Sequence, residues 1–132
     1  MAKRSTSRRL AMQILYQIDI SGVSEEEAMV NALGEEEFKP ETKDYALQLV
    51  SVTLENMKEI DKNIGERSKG WPIKRMGVVD RNILRLAVCE LDYIKENPFA
   101  VVVDEAVELA KKYGGEDAKK FINGILSSFA GK

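Results

Sequence analysis

Residues 115–130 read "GEDAKKFINGILSSFA", and the Asn123-Gly124 pair inside them sets two folds against each other. Asn-Gly between apolar residues is the strongest short-range signal for a β-hairpin. A hairpin needs apolar and polar residues alternating on both sides of the pair, and neither flank alternates. Ala118, Phe121, Ile122, Ile125, Leu126 and Phe129 instead recur three and four residues apart, which is one face of a helix. The pair is therefore expected inside a helix. Glycine there costs roughly 1 kcal/mol against alanine, so Gly124 is expected to admit another backbone closely. Asn123 falls one step off the stripe and is expected at a boundary or on the surface.

Working outward, the same periodicity recurs. Leu10, Ala11, Ile14, Leu15 and Ile18 mark a first helix over 5–22, with Gly22 as its stop. Ser24 and Glu27 form a capping box for a short second helix that Gly34 closes. Residues 39–64 carry a long stripe from Ala46 to Ile64, opened by Pro40, with a break expected near Asp61. "SKGWPIKRMG", 68–77, is a loop by its glycines and proline. Residues 78–94 are apolar almost all round and belong at the centre. Val101 to Val103 favour a strand, but no second strand exists to pair with it, so a helix is expected over 100–113, capped by Gly114. The expectation is an all-α fold of six or seven helices in a single domain over 1–132.

The totals fit. The chain has 132 residues, is 44% hydrophobic and 32% charged, and has only 7% aromatic residues and three prolines. Such a composition supports one helical core rather than disorder. The single cysteine, Cys89, excludes an internal disulfide, and the absence of histidine excludes His-based triads and His-bearing metal sites. There is no phosphate-binding or dinucleotide glycine motif. Cys89 lies on an apolar helix and reads as packing. The expectation is no enzyme, no cofactor and no metal. The longest apolar run, "FAVVV" at 99–103, is far too short for a membrane span, and a cytoplasmic protein is expected.

Charge is uneven. Residues 1–18 hold Lys3, Arg4, Arg8 and Arg9 and no acid, although the whole chain carries −2. A basic segment of 1–9 on an acidic protein marks a local anion-binding surface. Gln13 and Tyr16 follow it, and an amide that reads base edges and a ring that stacks bases suit RNA. "KKYGGEDAKKFING" gathers Lys111, Lys112, Tyr113, Lys119, Lys120, Phe121 and Asn123 into a second candidate surface. Solvated lysines and a core Phe121 are the competing reading.

"RRLAMQILYQID", "VVDRNILRLAVCEL" and "VVVDEAVELAKKYGGEDAKKFINGIL" resemble the NusB family of transcription antitermination factors. The resemblance implies a fold of two small helical bundles. It implies binding of single-stranded boxA RNA in ribosomal RNA leader transcripts, together with NusE, a small-subunit ribosomal protein, in an RNA polymerase antitermination complex. By it, Lys3, Arg4, Arg8 and Arg9 form the RNA arm. Gln13, Tyr16, Tyr113, Asp117, Lys120, Phe121 and Asn123 match the RNA face. Asp80 matches an acidic position on the NusE side, with Arg81 and Arg85 as helical neighbours. A NusB-like scaffold that binds proteins without touching RNA is the alternative.

Overall fold

The computed structural model describes residues 4–34 and 36–131. Seven α-helices run in order: α1 Arg4–Ser21, α2 Glu25–Leu33, α3 Pro40–Glu55, α4 Met57–Arg67, α5 Val78–Cys89, α6 Phe99–Tyr113 and α7 Ala118–Ser127. No strand occurs among the described residues. The segment around Asn123-Gly124 is helical, as its stripe requires. The basic segment is helical from Arg4 onward, so its arginines are fixed on the first turns of α1 rather than carried on a free arm.

Local chemistry explains the helix ends. Gly22 takes φ 67° after α1, a left-handed conformation that glycine adopts without penalty. The Glu27 amide donates to the Ser24 hydroxyl at 3.1 Å and starts α2. Pro40 occupies the first turn of α3. The break in the long stripe falls at Asn56, five residues before the expected one. Asn56 has φ −115° and ψ 19°, and its side-chain amide donates to the Val52 carbonyl at 2.9 Å. A short amide side chain competes in this way for helical backbone groups. Asp61 stays within α4 because its carboxylate is engaged by Arg85.

α5 sits at the centre and packs on α1, α3, α4, α6 and α7. α1, α2 and α3 form one group; α4, α6 and α7 gather on the other sides of α5. Ile83, Leu84, Leu86 and Val88 of α5 are buried in a core that joins both groups. Cys89 is buried with them, and burial pushes its thiol up to about 11, so it carries no thiolate chemistry. The chain then widens into a π-helical stretch, Glu90–Ile94, and stops at Lys95 with φ 58°.

The tightly placed glycine is Gly114, not Gly124. A Cβ on Gly124 would meet nothing within 4 Å, so no backbone approaches it. A Cβ on Gly114 would lie 2.5 Å from the Ala118 Cβ and 2.8 Å from the Ala110 carbonyl oxygen. Only glycine lets the chain turn there from α6 into α7. Gly114 itself is extended, with φ −89° and ψ 177°, so space rather than left-handed geometry requires it.

Candidate nucleic-acid interface

The basic start of α1 divides by burial. Arg8 is only 4% exposed, and its partner Glu90 is 1% exposed. The guanidinium donates to both Glu90 oxygens at 2.7 and 2.9 Å and to Glu105 at 2.9 Å. Tyr45 and Asn97 also donate to Glu90, at 2.7 and 2.9 Å. The buried carboxylate is thus answered from α1, α3 and the α5–α6 connection. Burial and the bond to Glu90 hold the Tyr45 phenol well above its ordinary range. This corrects the expectation for Arg8: its fork is used up inside the protein and is not available to phosphate.

Arg4 stacks over the Tyr45 ring at 4.1 Å and donates to Asn97 at 2.9 Å and Glu96 at 3.2 Å. Arg9 is freer. It lies 5.8 Å over the Phe38 ring, donates to Gln13 at 3.3 Å and approaches Glu36 only to 3.7 Å. Gln13 and Tyr16 follow Arg9 at helical spacing and are half-buried on the same helix. Lys3 lies outside the described residues.

Two clefts collect the other candidates. A small one, about 120 Å³, opens between the first turns of α1 and the end of α6. It brings Arg9 and Tyr113, far apart in sequence, into one lining with Lys112. A larger groove of about 590 Å³ lies between the 68–77 loop, the start of α5 and α7. Trp71, Met76, Asp80, Asp117, Ala118 and Phe121 line it. Phe121 is half-buried, packed against the core on one side and facing the groove on the other. Lys120 and Asn123 are exposed on α7, outside both linings.

Asp80 faces the large groove without a hydrogen bond or ion pair to any described residue. Its Oδ1 would lie 3.1 Å from a Cβ on Gly114, so the carboxylate is tucked against the α6–α7 corner. Burial raises its pKa. Arg81 and Arg85 are not beside it. Arg81 grips both oxygens of Asp19, at 2.7 and 2.6 Å. Arg85 grips Asp61 at 2.8 and 3.0 Å and reaches Asp19 at 3.0 Å. These two arginines tie α1 and α4 to α5. The structure brings them to a part-buried junction with Asp19 and Asp61 rather than to the groove that Asp80 lines.

Trp71 and Glu90 were not among the expected site residues, and Lys112 was named only as one member of the candidate surface over 111–123. Trp71 is 48% exposed, and a bulky ring in a glycine- and proline-rich loop was the signal for it. Lys112 stood within a noted lysine run with nothing to single it out. Glu90 is the lone acid in "LAVCEL", and a carboxylate on a buried helix implies a buried cation. No group of three or more metal-type side chains occurs among the described residues, and no described helix is long and apolar enough to cross a membrane.

Comparison with known proteins places this geometry. The NusB family model matches residues 5–131. Transcription antitermination protein NusB of Bacillus mycoides (strain KBAB4) is 46% identical over 127 residues, covering 96% of this chain and 95% of the relative. A structure of T. maritima NusB superposes with a TM-score of 0.89 at 35% identity, covering 98% of this chain and 91% of that one. A chain in a crystal structure of antitermination factors NusB and NusE in complex with dsRNA gives 0.86 at 36% identity, covering 95% and 93%. By the match over residues 5–131 and the identity to curated relatives, the chain belongs to the NusB family of non-enzymatic transcription antitermination factors.

Proposed function

We propose that this protein binds boxA-type RNA of ribosomal RNA leader transcripts together with NusE, in the bacterial cytoplasm, and so helps RNA polymerase pass terminators. The observation that carries the reading is that the fold brings Arg9 of α1 into one cleft with Lys112 and Tyr113 at the end of α6, while the next residues along the chain, Asp117 and Phe121, line a second, larger groove. Arg9, Lys112 and Tyr113 offer charge and a ring on one side; Asp117 and Phe121 face the groove on the other. Cations position a nucleic-acid backbone and rings stack its bases. The groove also holds Asp80, an unpaired carboxylate among Trp71 and Met76, which suits a basic, partly apolar protein surface. RNA would then lie along the α1–α6 cleft and NusE against the larger groove. Support comes also from the NusB–NusE–dsRNA complex among the structural relatives.

The test is a titration of boxA-type RNA with and without NusE at several salt concentrations. Tighter binding with NusE, weakening as salt rises, is expected. The scaffold alternative is favoured by one observation, the internal commitment of Arg8. It becomes the better reading if NusE binds and RNA affinity shows no salt dependence.

A further inference from the structure

A third groove, between α2 and α3, shares no lining residue with either of the two clefts described above. α2 packs chiefly on α1, and its first turns stand off from α3, leaving a space of about 520 Å³. Ser24, Glu25, Glu26 and Met29 line it from α2, and Leu47 and Ser51 line it from α3. Met29 and Leu47 are half-buried, and Met29 packs on the core beneath. The Ser51 hydroxyl donates to Glu25 at 3.2 Å and ties the two walls together. Glu26 is exposed and has no hydrogen-bond or ion-pair partner among the described residues. One turn further along the same helix face, Val30 is 65% exposed. No cation lines the groove, and residues 23–38, which carry α2, hold six glutamates and no lysine or arginine.

We propose that the α2–α3 groove is a docking site for a basic amphipathic helix of another protein, distinct from NusE. Its apolar face would cover Met29, Leu47 and Val30, and a lysine or arginine would meet Glu26. Recognition of this kind lays a few apolar anchors at helical spacing into a groove between elements. Methionine suits such a floor, because its unbranched side chain repacks around different anchors. The charge of the rim selects the partner. Two carboxylates beside an apolar floor attract a cationic helix and repel an RNA backbone or an anionic surface. The bond from Ser51 to Glu25 holds the walls in place and leaves Glu26 as the free charge. The inference goes beyond the RNA and NusE reading and does not depend on it. Because that reading uses other walls of the protein, a helix held here would be carried on the same chain at the same time.

The experiment uses the full chain and a synthetic peptide of about five helical turns, with leucine on one face and lysine on the other. A control peptide keeps the leucine face and carries glutamate in place of lysine. Binding is followed by calorimetry and by amide NMR shifts. The basic peptide is expected to bind and to move the signals of residues 24–30 and 47–51, and the acidic one to leave them unmoved. Glu26→Lys should weaken the basic peptide by about tenfold or more, since an attraction becomes a repulsion, with circular dichroism unchanged. Glu66→Lys, an exposed acid on α4, should leave the affinity as in the wild type. Saturation with NusE and boxA-type RNA should not displace the peptide. Absence of binding, shifts that fall elsewhere, equal binding of the acidic peptide, full affinity in Glu26→Lys or displacement by NusE would each overturn the proposal. So would a dimer of the protein alone, seen by sedimentation and lost in Glu26→Lys, which would make a second copy the occupant.

Discussion

Arg8 and Arg9 are adjacent in sequence and face different media. Arg8→Ala would leave the Glu90 carboxylate buried with only Tyr45 and Asn97 to answer it. Removing one member of a buried pair costs about 3–5 kcal/mol, a large share of a typical domain's stability. A large drop in melting temperature is therefore expected for Arg8→Ala. Arg9→Ala should cost under about 1 kcal/mol, because its approach to the exposed Glu36 is long and no buried carboxylate depends on it. Thermal unfolding of the two variants checks this; equal small losses would contradict the buried hub. Loss of RNA binding in an Arg8 variant is to be read only beside its melting curve. The sequence alone hid this division. It showed four cations and no acid in the first eighteen residues, but Glu90 and Glu105 lie 82 and 97 positions away from Arg8. Burial of an ion pair is a property of helices that meet in space.

Among the elements, α7 and the corner before it give the sharpest contrast. Gly124 has open space where a Cβ would stand and an ordinary helical backbone, so Gly124→Ala is expected to stabilise by up to about 1 kcal/mol. Gly114→Ala forces a contact of 2.5 Å with the Ala118 Cβ and is expected to cost about 1–3 kcal/mol. Chemical denaturation of both variants tests the assignment; the opposite signs would overturn it. The stripe through Phe121 and Ile125 made the helix legible, since periodicity is local. Which glycine is crowded was not legible, because that depends on the angle at which α6 meets α7. The π-helical turn at Glu90–Ile94 was equally hidden, because no residue type announces it. On α5, Asp80 leads to a test of the partner surface. Asp80→Lys should weaken NusE binding by charge reversal, with circular dichroism unchanged. Burial raises the Asp80 pKa, so the ionised form that a basic partner needs is gained as pH rises through that raised value. NusE affinity should accordingly strengthen as pH rises through that raised value, and Asp80→Asn should remove the pH dependence.

For the whole molecule, acid stability is set by the junction around Asp19. The bond from Arg81, opposed by burial and helped by Asn82 and Arg85, holds the Asp19 carboxyl below the usual range. A depressed folded pKa adds stability that is fully present above the unfolded value of about 3.9 and is lost as pH falls through the folded one. Unfolding below about pH 4 is expected to be steep in the wild type. Asp19→Asn should flatten that limb while lowering stability at neutral pH, as read by melts across the pH range. Composition and periodicity made the all-α architecture legible. The pairing of Asp19 with Arg81 and Arg85 was not, and the two arginines looked like surface neighbours of Asp80 until α1 and α4 were laid against them.

The link from Arg8 to Glu90 and Glu105 also orders events during synthesis. α1 emerges from the ribosome first, yet the groups that neutralise its buried guanidinium are made some 80 to 100 residues later. Contacts of such long sequence separation close late, because the loop entropy must be lost before they form. A nascent chain that stops short of residue 90 carries Arg8 with no carboxylate to meet it, so its first helix cannot yet dock. Translation therefore finishes the α1–α6 cleft last, and α1 turns from a solvated helix into a wall of that cleft only when α6 arrives. Ribosome-bound chains of increasing length should show protease protection at residues 4–21 appearing only after α6 has cleared the exit tunnel.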